Sequence, residues 1–175
     1  MNTSFIRHFT LASMLFLAAC GGTKQETEII APEGMHTLNL SKYGKPFAIF
    51  VPDTVTNKLH VTEQTNGALE IRVGSIFALS INEQAADIDL RKLDIKEDEL
   101  NKFKRYLVEE PSALFWESEI VHPEFHFLIN QKIGSNDYSF EDIHDTELNA
   151  FSKEAVQKMF DSSKNIKEIS REKTS

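Results

Sequence analysis

The sequence predicts an α+β fold in which an antiparallel β-meander carries packed helices. Short runs of alternating apolar and polar residues, separated by turn residues, dominate the chain, and this pattern is typical of half-buried strands. The predicted order is strands, helix, strands, helix, whereas a parallel sheet would need strands and helices in strict alternation. Thirteen phenylalanines in 175 residues supply a core without disulfides. We place a single domain at residues 35–169.

Two short strands open this domain, at residues 36–40 and 47–52, and Pro52 ends the second. A hairpin follows, because alternating apolar residues flank Asn66-Gly67. A two-residue loop would set Glu63 opposite Glu70, so we predict a three-residue loop, Thr65-Asn66-Gly67, with Gly67 left-handed. The predicted pairs are Leu59 with Val73, His60 with Arg72, Val61 with Ile71 and Thr62 with Glu70.

The next strand is predicted to be central in the sheet. Phe77, Leu79 and Ile81 continue the apolar face of the hairpin, and Ile76 and Ala78 make the opposite face apolar as well. A strand that is apolar on both faces is typical of a sheet interior covered on both sides.

The segment after residue 87 predicts a helix, although its boundaries are difficult to place. Residues 87–93 are ambiguous between strand and helix, and from Asp94 the charge pattern becomes helical, with acids early and bases late. We predict a helix at 97–110 that buries a stripe of Leu100, Phe103 and Leu107 and ends at Pro111.

Three strands and a helix complete the predicted fold. The strands are placed at 114–121, 125–133 and 138–143, with turns at 122–124 and 134–137. Ser152 is predicted to cap the last helix, which turns Ala155, Met159 and Phe160 inward, and residues 170–175 form a charged tail. The predicted core includes Leu100, Phe103, Leu107, Trp116, Phe127 and Met159.

The element order resembles that of the PsbP-type α/β/α sandwich. The features that carry the resemblance are the strand pairs, the helix predicted at 97–110, the strand pair with Trp116 and Phe127, and the closing helix at Ser152. The resemblance covers most of the chain after residue 35 and includes no diagnostic motif. It implies a role in binding or assembly, although a fold alone does not define a function.

The N-terminal region is predicted to be a secretory signal. A basic stretch ends at Arg7 and His8, and an apolar run extends from Phe9 to Ala19, interrupted by Thr10 and Ser13. This run is typical of a signal peptide and is too short to span a hydrocarbon layer of roughly 30 Å.

The run ends in Leu17-Ala18-Ala19-Cys20, and in these residues the chain resembles the bacterial lipoproteins, whose lipobox is Leu, two small residues and Cys. The resemblance implies that residues 1–19 are removed, and that Cys20 becomes a diacylated, N-acylated N-terminus that anchors the protein in the membrane. Residues 20–34, polar with Gly and Pro, would be a tether. Gly21, in place of an Asp, favours the outer membrane, facing the periplasm.

Composition excludes some classes of partner. Without residues 1–19 the chain loses only Arg7 among its charged residues, which leaves 18 basic and 27 acidic residues and a net charge of −9. A net negative domain does not suit nucleic acid, which needs a basic surface. The membrane, through lipid on Cys20, and an unidentified envelope component are the predicted partners.

No catalytic motif is apparent, and we predict no cofactor and no metal site. His122 and His126 lie on a predicted strand and turn, where the i, i+4 spacing is about 13 Å and too long for one ion, so both are expected at the surface. Trp116 is expected in an aromatic core. An acidic cluster is expected to be a solvated face; its members are Asp137, Glu141, Asp142, Asp145 and Glu147.

Two classes of function therefore remain open. The preferred hypothesis is a non-enzymatic lipoprotein that acts as a binding or assembly module. The alternative is a periplasm-facing hydrolase with carboxylates or a histidine such as His60 or His126, brought together from distant positions.

Overall fold

The computed structural model of the protein describes residues 30–143 and 150–169. Cys20, most of the predicted tether, Asp145, Glu147 and the tail therefore lie outside the described residues. In this part of the chain there are ten strands and two helices. They are β1 Met35–Asn39, β2 Phe47–Pro52, β3 Leu59–Glu63, β4 Leu69–Val73, β5 Phe77–Asn82, α1 Ile88–Glu97, β6 Lys102–Glu110, β7 Ala113–Glu119, β8 Pro123–Ile133, β9 Asn136–Asp142, α2 Lys153–Lys164 and β10 Lys167–Glu168.

The strands form two antiparallel sheets. The larger sheet has seven strands in the order β3-β4-β5-β9-β8-β7-β6, and the smaller has the order β1-β2-β10. Most neighbours in the larger sheet are also neighbours in sequence, as expected for a meander. The predicted α+β class is confirmed; the resemblance to PsbP stays a prediction.

The first hairpin has the predicted register. Val61 pairs with Ile71 and Leu59 with Val73, while His60 lies opposite Arg72. Gly67 has φ +83°, a left-handed conformation that favours glycine at the end of the three-residue loop. The following strand, β5, lies between β4 and β9 as predicted for a central strand, although Ile76 before it is 42% exposed.

The main core fills the space between the larger sheet, the smaller sheet and α2. Odd-numbered residues of β4, β5, β7 and β8 face it, because successive side chains of a strand alternate between faces. The members from the larger sheet include Ile71, Leu79, Phe115, Phe127 and Phe140. Phe127 and Met159 are fully buried, as predicted.

A second, smaller core lies on the opposite face of the larger sheet, under α1. Even-numbered residues of β7 and β8 face it, namely Leu114, Trp116 and Leu128, and α1 contributes Ile88 and Ile95. Trp116 is therefore a core residue, as predicted. The structure thus has α1 on one face of the seven-stranded sheet, and α2 with the smaller sheet on the other.

The helix predicted at 97–110 is wrong. The helix is α1, Ile88–Glu97, where Oδ1 of Asp87 caps the first turn by accepting a hydrogen bond from the Leu90 backbone N–H. Residues 102–110 are the edge strand β6 instead. Leu100, predicted in the core, is 82% exposed in the loop between them, and Phe103 and Leu107 are half-buried.

Two irregularities in β6 explain this error. The register with β7 shifts between Phe103 and Arg105 and again between Tyr106 and Val108. Each extra residue changes the side-chain period of the strand from two to three, so Phe103 and Tyr106 share the face that carries α1. The predicted stripe is therefore divided, because Phe103 packs on the smaller core and Leu107 packs on the main core. The three- and four-residue spacings of Leu100, Phe103 and Leu107 match a helical period, but in this irregular strand they do not define one face.

The C-terminal helix agrees with the prediction. Oγ of Ser152 accepts a hydrogen bond from the Ala155 backbone N–H, and Val156, Met159 and Phe160 are buried. Near its end, Oγ of the buried Ser162 accepts from the Phe50 backbone N–H and donates to the Phe50 carbonyl, which fixes α2 against β2. Neither helix in the described ranges is long and apolar enough to cross a bilayer.

Candidate functional site

A cleft of about 250 Å³ opens where the C-terminal half of α1 lies over β7 and β8. Its walls come from two parts of the fold that are distant in sequence. The helix and the loop after it contribute Arg91, Asp94, Ile95, Asp98 and Asn101, and the two strands contribute Trp116, Ser118 and His126.

The strand side of the cleft follows from the pairing of β7 with β8. Trp116 lies directly opposite His126, and Ser118 lies opposite Glu124. Because directly opposite residues project to the same face, these four side chains all lie on the face that carries α1. The imidazole of His126 packs on the Trp116 indole, with ring centroids 5.4 Å apart and an interplanar angle of 33°.

His126 is held between two carboxylates. Its Nδ1 lies 2.9 Å from Oδ2 of Asp142, and its Nε2 lies 3.6 Å from Oε2 of Glu124. The side chain of His126 is only 12% exposed. The expectation that His126 is a surface histidine is therefore wrong, whereas His122, in the turn before it, is exposed as expected.

The protonated form of His126 is favoured by this arrangement. Burial by itself would lower the pKa of His126, but the hydrogen bond that it donates to Asp142 and the charges of Asp142 and Glu124 outweigh burial, so that the pKa is raised above 6.5. Asp142 is itself fixed, since its Oδ1 accepts a 2.7 Å hydrogen bond from the Phe127 backbone N–H.

Asn101 connects the network to the loop after α1. Its Nδ2 donates to Oε2 of Glu124 at 3.2 Å and lies 3.4 Å from Nε2 of His126. The carboxylate fixes the orientation of the amide, because only the NH₂ group can donate to it. The Asn101 carbonyl oxygen, Oδ1, therefore points away from the Glu124 carboxylate and needs a different donor.

Two buried polar atoms in the cleft walls have no hydrogen-bond partner within the described protein. They are Oδ1 of Asn101 and Oγ of Ser118. Ser118 is a polar residue that is only 1% exposed, on a face that it shares with Trp116, His126 and Glu124. Leaving such a group without a partner costs about 1–3 kcal/mol, so these two atoms are points at which the fold itself leaves hydrogen-bonding capacity unused.

The mouth of the cleft is acidic. Asp94 and Asp98 are exposed there, and the pKa of Asp98 is lowered by hydrogen bonds from the backbone N–H groups of Asn101 and Leu100. The one basic side chain on α1 that lines the cleft, Arg91, forms an ion pair of 3.0 Å with Glu141.

The predicted acidic cluster is only partly a solvated face. Asp137 is exposed, as expected, but Asp142 is 7% exposed and bound to His126, and Glu141 is half-buried in its ion pair with Arg91. Within residues 30–143 and 150–169, no group of three or more His, Cys, Asp or Glu side chains is placed to hold a metal ion.

The other histidine named as a catalytic candidate, His60, is not near the cleft. It lies on β3, at the opposite edge of the seven-stranded sheet from β6, and is paired with Arg72. Of the sequence candidates, the structure brings together Trp116, His126 and Asp142. Asn101 and Ser118 were not expected, because only the β7–β8 register and the true position of α1 bring them to one place.

Comparison of the sequence and the fold with known proteins gives no match. No family model matches the chain, no curated protein is similar to it, and no solved structure matches its fold.

Proposed function

We propose that the protein is a lipid-anchored lipoprotein of the bacterial envelope whose domain is a non-enzymatic binding module, and that the cleft between α1 and the β7–β8 hairpin is its binding site. The observation that supports this proposal is the pair of unsatisfied buried atoms, Oδ1 of Asn101 and Oγ of Ser118, in the walls of an open cleft. A bound ligand would supply the missing hydrogen bonds.

The surroundings of the cleft also suit a binding surface. Lys102 pairs with Glu119, and this pairing brings the loop after α1 to the same end of the sheet as the turn between β7 and β8. Apolar side chains are exposed on both: Leu100 is 82% exposed and Val121 75% exposed. Exposed apolar side chains beside a cleft are typical of contact surfaces.

A hydrolase is the second candidate, and the Asp142–His126 hydrogen bond is the feature that favours it. A general base needs a ring nitrogen that can reach the proton of a nucleophile. In this protein Nδ1 faces Asp142 and Nε2 faces Glu124, and the Ser118 hydroxyl is not hydrogen-bonded to the imidazole. This arrangement suits a structural or ligand-positioning histidine better than a base.

The anchor is tested by fractionation. The wild-type chain is expected in the membrane fraction and Cys20→Ala in the soluble fraction, because Cys20 would carry all of the acyl chains that anchor the protein. If the wild-type and variant proteins both remain soluble, lipid anchoring is wrong.

The binding role is tested by crosslinking in the native envelope. Wild type is compared with Ser118→Met, which fills the cleft, and with Ser135→Met, which places the same side chain in an exposed turn. We expect a reproducible partner that is lost only with Ser118→Met, with both variants shown to be folded by circular dichroism. Recovery of no such partner, together with a hydrolytic activity abolished by His126→Ala, would favour the hydrolase.

A further inference from the structure

We propose that the cleft binds a small organic cation, a primary ammonium group carried on a short apolar chain. This proposal rests on the binding function proposed above and specifies the class of ligand. It follows from the kinds of atoms that the cleft leaves available, from the charge at its mouth and from its apolar walls.

The available atoms are mainly acceptors. The Asn101 carbonyl oxygen can only accept, and the carboxylate of Asp94 can only accept when ionised. The Ser118 hydroxyl has two acceptor lone pairs as well as one donor. A ligand that satisfies these atoms must bring several N–H donors, and an ammonium group brings three.

The charge at the mouth favours a cation. Asp94 and Asp98 are both exposed there, and the lowered pKa of Asp98 keeps its carboxylate ionised to lower pH. The positive charge of Arg91 is compensated by Glu141 at 3.0 Å, and Asp142, at 2.9 Å, compensates His126 whenever the imidazole is protonated. The cleft therefore presents net negative charge to a ligand that approaches from solvent.

The walls define the rest of the ligand. Ile95 and Trp116 are both more than nine-tenths buried and line the cleft, so they form its apolar surface. An indole also attracts cations to its face. The volume of about 250 Å³ is several times the roughly 30 Å³ that a water molecule occupies in the liquid, which leaves room for a short alkyl chain.

A metal ion fits these atoms less well. In the described part of the chain, no group of three or more His, Cys, Asp or Glu side chains has a geometry that could hold a metal ion. Calcium would need six or more oxygen ligands. The neutral Asn101 and Ser118 oxygens and the apolar wall suit a ligand with an extended organic body.

Trp116 provides the readout, because it is the only tryptophan in the chain. The full-length protein in detergent is titrated with n-butylammonium chloride, with 1-butanol and with sodium butyrate at constant ionic strength, and Trp116 fluorescence is recorded. We expect saturable binding of n-butylammonium, with 1-butanol at least tenfold weaker and butyrate without effect. Amide chemical shifts should change along α1 and β7.

Two variants and one control define the site. Asp94→Asn should weaken n-butylammonium binding roughly tenfold, the loss expected for a hydrogen bond between charged groups, and Ser118→Ala by roughly threefold. Glu97→Gln removes a charge from the exposed end of the same helix without touching the cleft, so its affinity should stay within about twofold of the wild type.

Other results would overturn the proposal. Equal affinity for 1-butanol would show that the charge plays no part, and no response to any probe would show that the cleft holds water only. Failure of the ligand class can be distinguished from failure of the binding function. If the crosslinked partner is still lost with Ser118→Met while n-butylammonium does not bind, the ligand class is wrong and the binding role stands.

Discussion

Nδ1 of His126 lies 2.9 Å from Oδ2 of Asp142, a residue sixteen positions later on the neighbouring strand. This contact joins β8 to β9, and it holds the imidazole of His126 against the Trp116 ring, with ring centroids 5.4 Å apart. Because Glu124 and Asn101 approach from the other side of the ring, the histidine connects three strands and the loop after α1.

The raised pKa of His126 predicts a pH dependence of stability. A group whose pKa is higher in the folded than in the unfolded protein stabilises the fold fully below the unfolded value, about 6.5, and this contribution disappears as the pH rises through the folded value. The free energy of unfolding in urea should therefore decrease as the pH rises from 6.5 through the raised pKa of His126.

Asp142→Asn is the test of this prediction, because the amide keeps an oxygen for the Phe127 backbone N–H but removes the negative charge. The pH-dependent loss should become smaller and move to lower pH. Asp137→Asn, on an exposed position of the same strand, is the control and should keep the wild-type profile. If Asp142→Asn also keeps it, His126 is not the group responsible.

The corrected position of the helix predicts the effects of two apolar truncations. Phe127→Ala removes a fully buried ring from the main core and should cost about 3–5 kcal/mol of unfolding free energy. Leu100→Ala removes a side chain that is 82% exposed and should stay within about 0.5 kcal/mol of the wild type. Chemical denaturation of both variants measures the difference. A large loss for Leu100→Ala would restore the helix at 97–110.

The cap of α2 predicts a difference between two substitutions at one position. Ser152→Ala removes the oxygen that accepts from the Ala155 N–H and should cost about 1 kcal/mol. Ser152→Gly should lower the free energy of unfolding by only about a few tenths of a kcal/mol, because glycine leaves the helix terminus open to water. Thermal or urea unfolding of the pair measures this. A loss near zero for Ser152→Ala would show that the cap contributes little to the stability of α2.

Local patterns predicted those parts of the fold in which neighbouring residues determine the geometry. The hairpin register follows from the alternation around Asn66-Gly67, since a shift of one residue would turn every apolar side chain to the wrong face. The Ser152 cap and the buried face of α2 follow in the same way from residues within two turns of one helix.

The candidate site could not be predicted in this way. The two irregularities in β6 gave the strand a helical period, and α1 is stabilised by a stripe in which half-buried Arg91 and Lys92 lie between Ile88 and Ile95. Leu90 and Leu93 of the same helix point outward but are as apolar as the buried residues. The buried face of α1 therefore cannot be recognised from hydrophobicity alone. With the helix misplaced, Asn101 could not be placed beside His126.

The sequence by itself therefore determined the fold class, the first hairpin, the capped α2 and the part of the main core that these elements contribute, because these depend on periodicity and on turn and cap chemistry over a few residues. Only the tertiary structure decided which strand lies at the edge, which face α1 covers, and that Asn101, Ser118, His126 and Asp142 come together. The physical reason is that strand pairing and helix docking depend on contacts between residues that are distant in sequence. A short segment of the chain therefore does not contain the information that determines them.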